Sequence, residues 1–332
     1  MKVMLTGGAG FVGSYIAREL LALGHKVVIY DAFVHYFNPI ESNYDVQLRR
    51  RFEGVAEQLT FVRGNTRNQT EIRRALLEHR PQRIIHLAAL PIADLSNTHS
   101  CEAIGSIIDG TANVLETIRD VDFVDRFVYT SSSMVYGDFQ YYSANEEHPK
   151  NPKDIYGGTK LAGEVLTQAF SRRFGIEYTI IRPSAVYGPT DVNRRVSQIF
   201  IERARDGKEL VLHGGGRTKL DFTYAKDTAH GFVLATLSDA ARNEVFNITR
   251  GEARSLLEFV EILSTRFPDM KTRIEPHQMH RPKRGTLDIS KAKELLGYHP
   301  RYSLEEGLAE YLDYAINGNL NHDSPHLVRG AA

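Results

Sequence analysis

Short apolar runs alternate with amphipathic segments along the first 250 residues of the chain. Each run is bounded by polar or turn-forming residues, as in buried strands, and the predicted strands span residues 2–6, 25–30, 59–63, 83–88, 126–130, 178–182 and 244–248. Segments between them place apolar residues at helical spacing, and the predicted helices span residues 14–23, 69–78, 110–118 and 160–174. Such alternation is typical of parallel βαβ units, so the pattern predicts an α/β protein with a doubly wound parallel sheet.

Three glycines stand at intervals of three directly after the first predicted strand. Gly7, Gly10 and Gly13 precede an amphipathic helix, and Asp31 ends the second predicted strand. Glycines let the backbone approach a pyrophosphate closely, and the helix directs its free N–H groups at the phosphates. An acid after the second strand binds the adenosine ribose hydroxyls and repels a 2′-phosphate, which favours NAD over NADP. A glycine turn alone is a weak signal, but these surroundings predict a Rossmann-type dinucleotide site.

Composition and charge exclude several classes of function. The 332 residues include 41 Lys and Arg and 41 Asp and Glu, so no net charge attracts nucleic acid or an anionic membrane. Cys101 is the single cysteine, which excludes an internal disulfide and a multi-cysteine metal site. No apolar run is long enough to span a membrane, and we expect a soluble cytoplasmic protein without a metal. The basic run at residues 49–51 is predicted to be a solvated helix face.

A candidate catalytic set follows from Ser132, Tyr156 and Lys160. The tyrosine and the lysine are four residues apart and share one face of a helix. A phenol is a poor base at neutral pH, but a neighbouring ammonium group and a positive nicotinamide ring favour its phenolate form. Ser132 follows the predicted strand 126–130, at the edge where open α/β sheets bind ligands. We therefore predict that Tyr156 takes a proton from a sugar hydroxyl while Ser132 positions the reacting oxygen.

These motifs together resemble those of a known family. The segments that carry the resemblance are Thr6-Gly-x-x-Gly-x-x-Gly13, His86-Leu-Ala-Ala89, Ser131-Ser-Ser-Met-Val-Tyr-Gly137, Tyr156-x-x-x-Lys160, Arg182-Pro-Ser-Ala-Val-Tyr-Gly-Pro189, Asp221-Phe-Thr-Tyr-Ala-Lys-Asp227 and Arg281-Pro-Lys-Arg-Gly-Thr-Leu-Asp288. The chain resembles the extended short-chain dehydrogenase/reductase family over about residues 1–315. Within that family it is similar to the nucleotide-sugar epimerases and dehydratases, of which UDP-glucose 4-epimerase is a familiar member.

The resemblance implies roles for individual residues. Ser132, Tyr156 and Lys160 match the catalytic serine, the general acid/base and its helper. The residues expected to bind NAD are Gly7, Gly10, Phe11, Val12, Gly13, Asp31, Asn65, Thr66, Leu87, Ala88, Ala89, Tyr156, Lys160 and Pro183. The residues expected to bind a nucleotide-diphosphate sugar are Ser132, Ser133, Tyr156, Gln198, Arg217, Lys219 and Arg281. Among these, Arg281 matches an arginine that holds the substrate diphosphate.

Departures from the family pattern narrow the expected reaction. Sugar 4,6-dehydratases carry an acid pair where this chain has Ser133 and Met134, and neither side chain can protonate a leaving hydroxyl. The pattern therefore favours an NAD-dependent 4-epimerase that works through a transient 4-keto sugar, with hydride returned from tightly bound NADH. A nucleotide-sugar oxidoreductase such as a 4-keto-sugar reductase, a dehydratase and a catalytically silent NAD-binding protein remain alternatives. Leu220 stands where an arginine is usual, so Arg217 or Lys219 is expected to meet the phosphate charge.

The resemblance also implies an organisation into two lobes and an assembly. Residues 1–182 and 221–250 are expected to form the NAD-binding domain, with an interleaved α/β substrate-binding lobe from residues 183–220 and 251–318. Residues 319–332 show little periodicity and are expected to be a mobile tail. A homodimer through helices around residues 103–119 and 156–173 is expected by analogy, with no nucleic acid and no membrane as partners.

Overall fold

A seven-stranded parallel sheet forms the centre of the molecule. The computed structural model describes residues 1–36, 43–276, 281–322 and 326. The strands of the sheet are β1 (Lys2–Thr6), β2 (Lys26–Asp31), β3 (Leu59–Arg63), β4 (Arg83–His86), β5 (Arg126–Thr130), β6 (Tyr178–Pro183) and β11 (Glu244–Ile248). They lie in the order β11-β6-β5-β4-β1-β2-β3, and every neighbouring pair is parallel. The predicted Rossmann-type doubly wound fold is thus confirmed, with its change of direction between β1 and β4.

Helices cover both faces of this sheet. They are α1 (Phe11–Ala22), α2 (Tyr44–Phe52), α3 (Gln69–His79), α4 (Ala93–Thr98), α5 (Ser100–Ala103), α6 (Gly110–Ile118), α7 (Ile155–Phe174), α8 (Val196–Arg205), α9 (Ala225–Leu237), α10 (Leu256–Ser264), α11 (Ser290–Leu296) and α12 (Leu304–Asn317). A π-helical segment, Ile104–Asp109, joins α5 to α6. Alternate residues of β1 enter opposite cores: Val3 and Leu5 pack on the side of α1 and α9, and Met4 packs on the side of α3 and α6.

A second apolar core lies outside the sheet. The remaining strands are short and pair with one another: β7 (Val186–Tyr187) with β10 (Thr223–Tyr224), β8 (Leu210–His213) with β13 (Thr272–Glu275), and β9 (Lys219–Leu220) with β12 (Arg254–Ser255). Around them a buried cluster includes Phe200, Leu212, Phe222, Phe259 and Leu308. Residues that precede β11 in the chain and residues that follow it therefore pack into the same second core. β11 itself belongs to the central sheet.

Most predicted elements match the structure closely, and α7 shows why one boundary was missed. The predicted helix began at residue 160, whereas α7 begins at Ile155. Asp154 caps it, since the Asp154 carboxylate accepts a hydrogen bond of 2.7 Å from the Gly157 N–H. Gly157 and Gly158 have low helix propensity and hid this start from pattern reasoning. The capped first turn contains Tyr156, and Lys160 lies one turn further along.

The basic run at residues 49–51 was expected to form a solvated helix face, and Arg51 departs from that expectation. Arg51 is buried rather than solvated, and its guanidinium donates to the carbonyl oxygens of Ala9 (2.9 Å) and Thr190 (2.8 Å). The side chain thereby ties α2 to the glycine turn and to the loop after β7. The sequence pattern could not reveal this, because both carbonyl groups come from distant parts of the chain.

Within the described ranges, no helix combines the length and apolarity that a membrane span requires. Over the same residues, no cluster of His, Cys, Asp or Glu side chains has the composition of a metal site. The predicted tail at residues 319–332 lies mostly outside the described part of the chain.

Candidate active site

A cavity of about 670 Å³ opens at the carboxyl ends of the parallel strands. It extends from the glycine turn after β1, past the end of β5 and the start of α7, to α8 and β8. This size falls within the usual range for cofactor and substrate pockets, and the position is where open α/β sheets bind ligands. The cavity therefore brings together segments from both cores.

The glycine turn is shaped for close contact with a ligand. Gly7 has a φ of 69°, and a Cβ atom there would lie 2.6 Å from the Ala88 backbone nitrogen. A Cβ on Gly13 would lie 2.6 Å from the Gly8 carbonyl oxygen. Helix α1 begins next to this turn with Gly10 as its N-cap, which offers no side-chain acceptor for the free N–H groups. Those groups and the positive end of the helix dipole fit a diphosphate.

Asp31 lines the cavity at the end of β2. Its carboxylate accepts hydrogen bonds from the Ala9 N–H (2.9 Å) and the Phe33 N–H (2.7 Å), which fix its orientation. Burial raises the pKa of Asp31, and these backbone hydrogen bonds oppose that increase. The half-buried carboxylate beside the glycine turn fits the adenosine ribose of NAD. The other predicted cofactor residues, Phe11, Val12, Asn65, Thr66, Leu87, Ala88, Ala89 and Pro183, also line the cavity.

Replacement of Asp31 by alanine tests this end of the cavity. We expect Asp31→Ala to weaken NAD binding about 10- to 100-fold, because hydrogen bonds to a charged group contribute about 1.5–3 kcal/mol. Discrimination against NADP should also fall, since the repelling charge is gone. Calorimetric titration of cofactor-free protein with each dinucleotide measures both effects. Asp122→Ala, at a side chain that is 95% exposed, is the control. Unchanged NAD affinity in Asp31→Ala would contradict the assignment.

Ser132, Tyr156 and Lys160 all line the cavity. Ser132 follows the end of β5, and the other two residues lie in the first turns of α7. Ser132 caps a short 3-10 turn, where its hydroxyl accepts a hydrogen bond of 3.2 Å from the Met134 N–H. The Ser132 side chain also acts on Tyr156, whose pKa it lowers. The Lys160 ammonium lies 5.9 Å from the Tyr156 ring centre and donates to the Thr130 carbonyl at 2.6 Å. The three predicted catalytic groups are therefore brought together.

The protonation of this set is controlled by burial and nearby charges. Burial raises the pKa of Tyr156, whereas the charge of Arg195 and the Ser132 side chain act to lower it. Burial lowers the pKa of Lys160 to about 7, against the attraction of Glu164. Lys160 can therefore gain or lose a proton near neutral pH beside the Tyr156 phenol. Ser133, next to this pair, has a buried hydroxyl that finds no partner among the described atoms.

Arginines in the cavity were missed by sequence reasoning. Arg195 precedes α8, and its Nη1 lies 2.8 Å from both carboxylate oxygens of Asp191. Arg284 lines the cavity with a buried Nε that has no hydrogen-bond partner among the described residues. Burial and the charge of Arg281 lower the pKa of Arg284 to about 10. A half-buried cation at the cavity wall, whose buried Nε is unpartnered among the described atoms, fits an anionic ligand.

The predicted substrate residues differ in their placement. Arg281 lines the cavity mouth, is largely exposed and forms a 3.1 Å ion pair with Asp94. Gln198, Arg217 and Lys219 do not line the cavity. The Gln198 amide is used within its own helix region, where it accepts from the Arg194 N–H and donates to Glu202. Arg217 and Lys219 are exposed to solvent, because β9 turns Leu220 rather than Lys219 inward.

Known proteins are similar to this chain in sequence and in fold over nearly its whole length. A sequence model of the NAD dependent epimerase/dehydratase family matches residues 3–249. A putative UDP-glucose 4-epimerase of Methanocaldococcus jannaschii is 30% identical, with 96% of this chain and 99% of that protein covered. A dTDP-glucose 4,6-dehydratase of an Actinoplanes species is 28% identical, with 93% and 96% covered. The structure of UDP-glucuronic acid 4-epimerase from Bacillus cereus, solved with UDP-glucuronic acid and NAD, has a TM-score of 0.87 and 29% identity, with 96% of this chain and all (100%) of that chain covered.

Proposed function

Since this chain belongs to the NAD-dependent epimerase/dehydratase family, we propose that it is a nucleotide-sugar 4-epimerase. The reaction inverts the configuration of one sugar carbon and leaves the composition of the substrate unchanged. It needs a base and a proton donor at the C4 oxygen, and no further acid at C5 or C6. Dehydratases are also similar to this chain, so the reaction must be argued from the site itself.

The carboxylates that line the cavity support epimerisation over dehydration. Within the described residues they are Asp31, Asp94 and Glu102. Asp31 is held by the glycine turn, Asp94 pairs with Arg281, and Glu102 pairs with Arg67 at 2.8 Å. Beside Ser132 stand Ser133 and Met134, which cannot transfer a proton at neutral pH. A 4-epimerase needs no acid there, and this is the observation that carries the proposal.

The catalytic set supplies the proton chemistry of such a reaction. NAD, when bound, accepts hydride from C4 of the sugar and returns it to the opposite face. In our proposal the Tyr156 phenolate takes the proton of the C4 hydroxyl and later gives it back. Lys160 stabilises the phenolate by its charge, and Ser132 hydrogen-bonds to the same sugar oxygen. The half-buried position of Tyr156 beside the cavity gives its hydroxyl access to substrate.

One isotope experiment tests the reaction class. The purified protein is incubated in deuterated water with UDP-, dTDP-, GDP- and CDP-hexoses, and the products are followed by NMR. A 4-epimerase gives an epimer without deuterium on carbon, since the hydride does not exchange with solvent. A dehydratase incorporates solvent deuterium at C5, because the C6 carbon receives the hydride taken from C4, and a net oxidoreductase consumes added nicotinamide cofactor. Either of these two outcomes would contradict the proposal.

Arg281 and Arg284 are both candidates for the substrate diphosphate, and their surroundings predict unequal effects. Replacing Arg284 by glutamine should raise KM for the nucleotide sugar about 10- to 100-fold, because a half-buried guanidinium whose Nε is unpartnered in the described part of the chain can make strong charge-assisted hydrogen bonds. Arg281→Gln should raise KM only a few-fold, since Arg281 is exposed and already paired with Asp94. Steady-state kinetics measure both KM values, with the nucleotide sugar that the isotope experiment identifies as substrate. A larger effect at Arg281 would restore Arg281 as the main diphosphate contact.

A further inference from the structure

Glu164 is a buried carboxylate directly behind the catalytic set. It follows Lys160 by one turn of α7, is 3% exposed, and does not line the cavity. Both of its oxygens are occupied. Oε1 accepts hydrogen bonds from the Ser131 hydroxyl and from Arg182 Nε, the latter at 2.8 Å. Oε2 accepts from Arg182 Nη2 at 2.7 Å.

These contacts connect Glu164 to every element that carries a catalytic group. Ser131 immediately precedes Ser132 at the end of β5, and Arg182 immediately precedes Pro183 at the end of β6. Arg182 is held in turn by hydrogen bonds from its Nη1 to the Tyr136 hydroxyl (2.9 Å) and the Glu146 carbonyl (2.8 Å). One carboxylate thus fixes α7 against the carboxyl ends of two strands.

Glu164 is also the negative charge that acts on Lys160. The Lys160 ammonium donates to the Thr130 carbonyl and lies 5.4 Å from the ring centre of Tyr129 and 5.9 Å from that of Tyr156. His86 lies nearby but is neutral, because burial lowers its pKa to about 3. Burial disfavours the charged form of Lys160, and Glu164 is the group that opposes it.

We propose that Glu164 is a positioning residue that keeps Lys160 charged and thereby favours the phenolate form of Tyr156. This inference rests on the proposed role of the Tyr156–Lys160 pair, although not on the identity of the sugar. Glu164 touches neither the cavity nor the reacting atoms, so it acts through Lys160.

The physical basis is a choice between two forms with the same number of protons. When the pair has lost one proton, it consists either of neutral tyrosine with neutral lysine or of phenolate with ammonium. Only the second form can accept a proton from a sugar hydroxyl at oxygen. The Glu164 carboxylate attracts the ammonium and shifts the balance toward this form. Loss of its charge should shift the balance back toward the neutral pair.

A Glu164→Gln variant tests the charge at nearly constant shape. The plateau of kcat against pH should fall about tenfold or more, because one unit of pKa corresponds to a factor of ten in the balance. The acidic limb of the profile should move to lower pH, since the lysine then loses its proton more readily. Ser131→Ala is the matched control: it removes one contact of Glu164 but leaves the charge, and should leave the limb in place.

Because Glu164→Gln leaves Arg182 buried without its carboxylate, that variant can fail to fold. The double variant Glu164→Gln/Arg182→Gln removes both charges and should show the same shift of the limb. A readout without substrate or cofactor is the ultraviolet absorbance of tyrosinate during a pH titration, with Tyr156→Phe as the reference. The Tyr156 signal should move to higher pH in the double variant.

The proposal is overturned if kcat falls in the double variant while neither the acidic limb nor the tyrosinate signal moves. That result would reduce Glu164 to a purely structural role. The tyrosinate titration needs no nucleotide sugar, so its outcome is independent of whether the protein proves to be a 4-epimerase. Failure of the reaction assignment and failure of the Glu164 proposal are therefore distinguishable.

Discussion

A Tyr156→Phe variant is expected to lose about 10²- to 10⁴-fold of kcat, the usual contribution of a general acid/base. The phenylalanine retains the ring that lies 5.9 Å from the Lys160 ammonium but has no hydroxyl to exchange a proton with the sugar. Binding of NAD and of the nucleotide sugar should change little, because most cavity contacts remain. Turnover and substrate affinity, measured separately, distinguish these effects. The loss should appear in kcat rather than in KM.

The control for this prediction is a tyrosine outside the cavity. Tyr141 is exposed, and its hydroxyl bonds to the Asn145 side chain outside the cavity. Tyr141→Phe should leave turnover unchanged. If Tyr156→Phe kept full activity, the catalytic assignment would be wrong and another base would have to be found.

A Gly7→Ala variant is expected to lose NAD binding almost completely and to be less stable. The added Cβ would lie 2.6 Å from the Ala88 backbone nitrogen, so β1 and the segment after β4 would have to separate. The left-handed backbone at φ 69° adds a further cost of about 1–2 kcal/mol for a residue with a side chain. Thermal unfolding and dinucleotide titration measure the two losses.

Gly24 provides the matched control for the clash. It has a φ of 77°, close to that of Gly7, but a Cβ atom there would meet nothing within 4 Å. Gly24→Ala therefore introduces the backbone strain without the collision. It should lower the unfolding temperature modestly and leave NAD affinity unchanged. Equal NAD affinity in both variants would show that the close approach at Gly7 is not required for the cofactor.

The fold could be predicted because its determinants are local. The strands of the sheet are short apolar runs bounded by polar residues, and the predicted bounds of β1, β3, β5 and β11 coincide with those in the structure. The glycine turn and Asp31 were recognisable because a dinucleotide site built on one βαβ unit lies within about 30 contiguous residues. Local sequence therefore carries both the architecture and the cofactor end of the cavity.

The substrate end could not be predicted in the same way, because its contacts join distant segments. Arg281 was predicted as a diphosphate contact from a sequence motif. The position of Arg284 depends instead on how residues 281–289 pack beside Asp154 at the N-terminus of α7. Arg195 gave no signal either, since its contact with Asp191 and its closeness to Tyr156 arise from the loop before α8. Glu164 gave no signal either, because its partner Arg182 is 18 residues away in the chain and only the fold places the two side chains together.

The position of β11 has a consequence for how the chain can be divided. In the completed sheet β11 pairs with β6 along its full length, although 60 residues of other structure separate the two strands in the chain. A fragment that ends at residue 182 would keep six strands and leave β6 as an open edge, with unpaired N–H and C=O groups ready to pair with another chain. The first 182 residues thus do not contain the whole sheet, because its outermost strand on this side comes from residues 244–248.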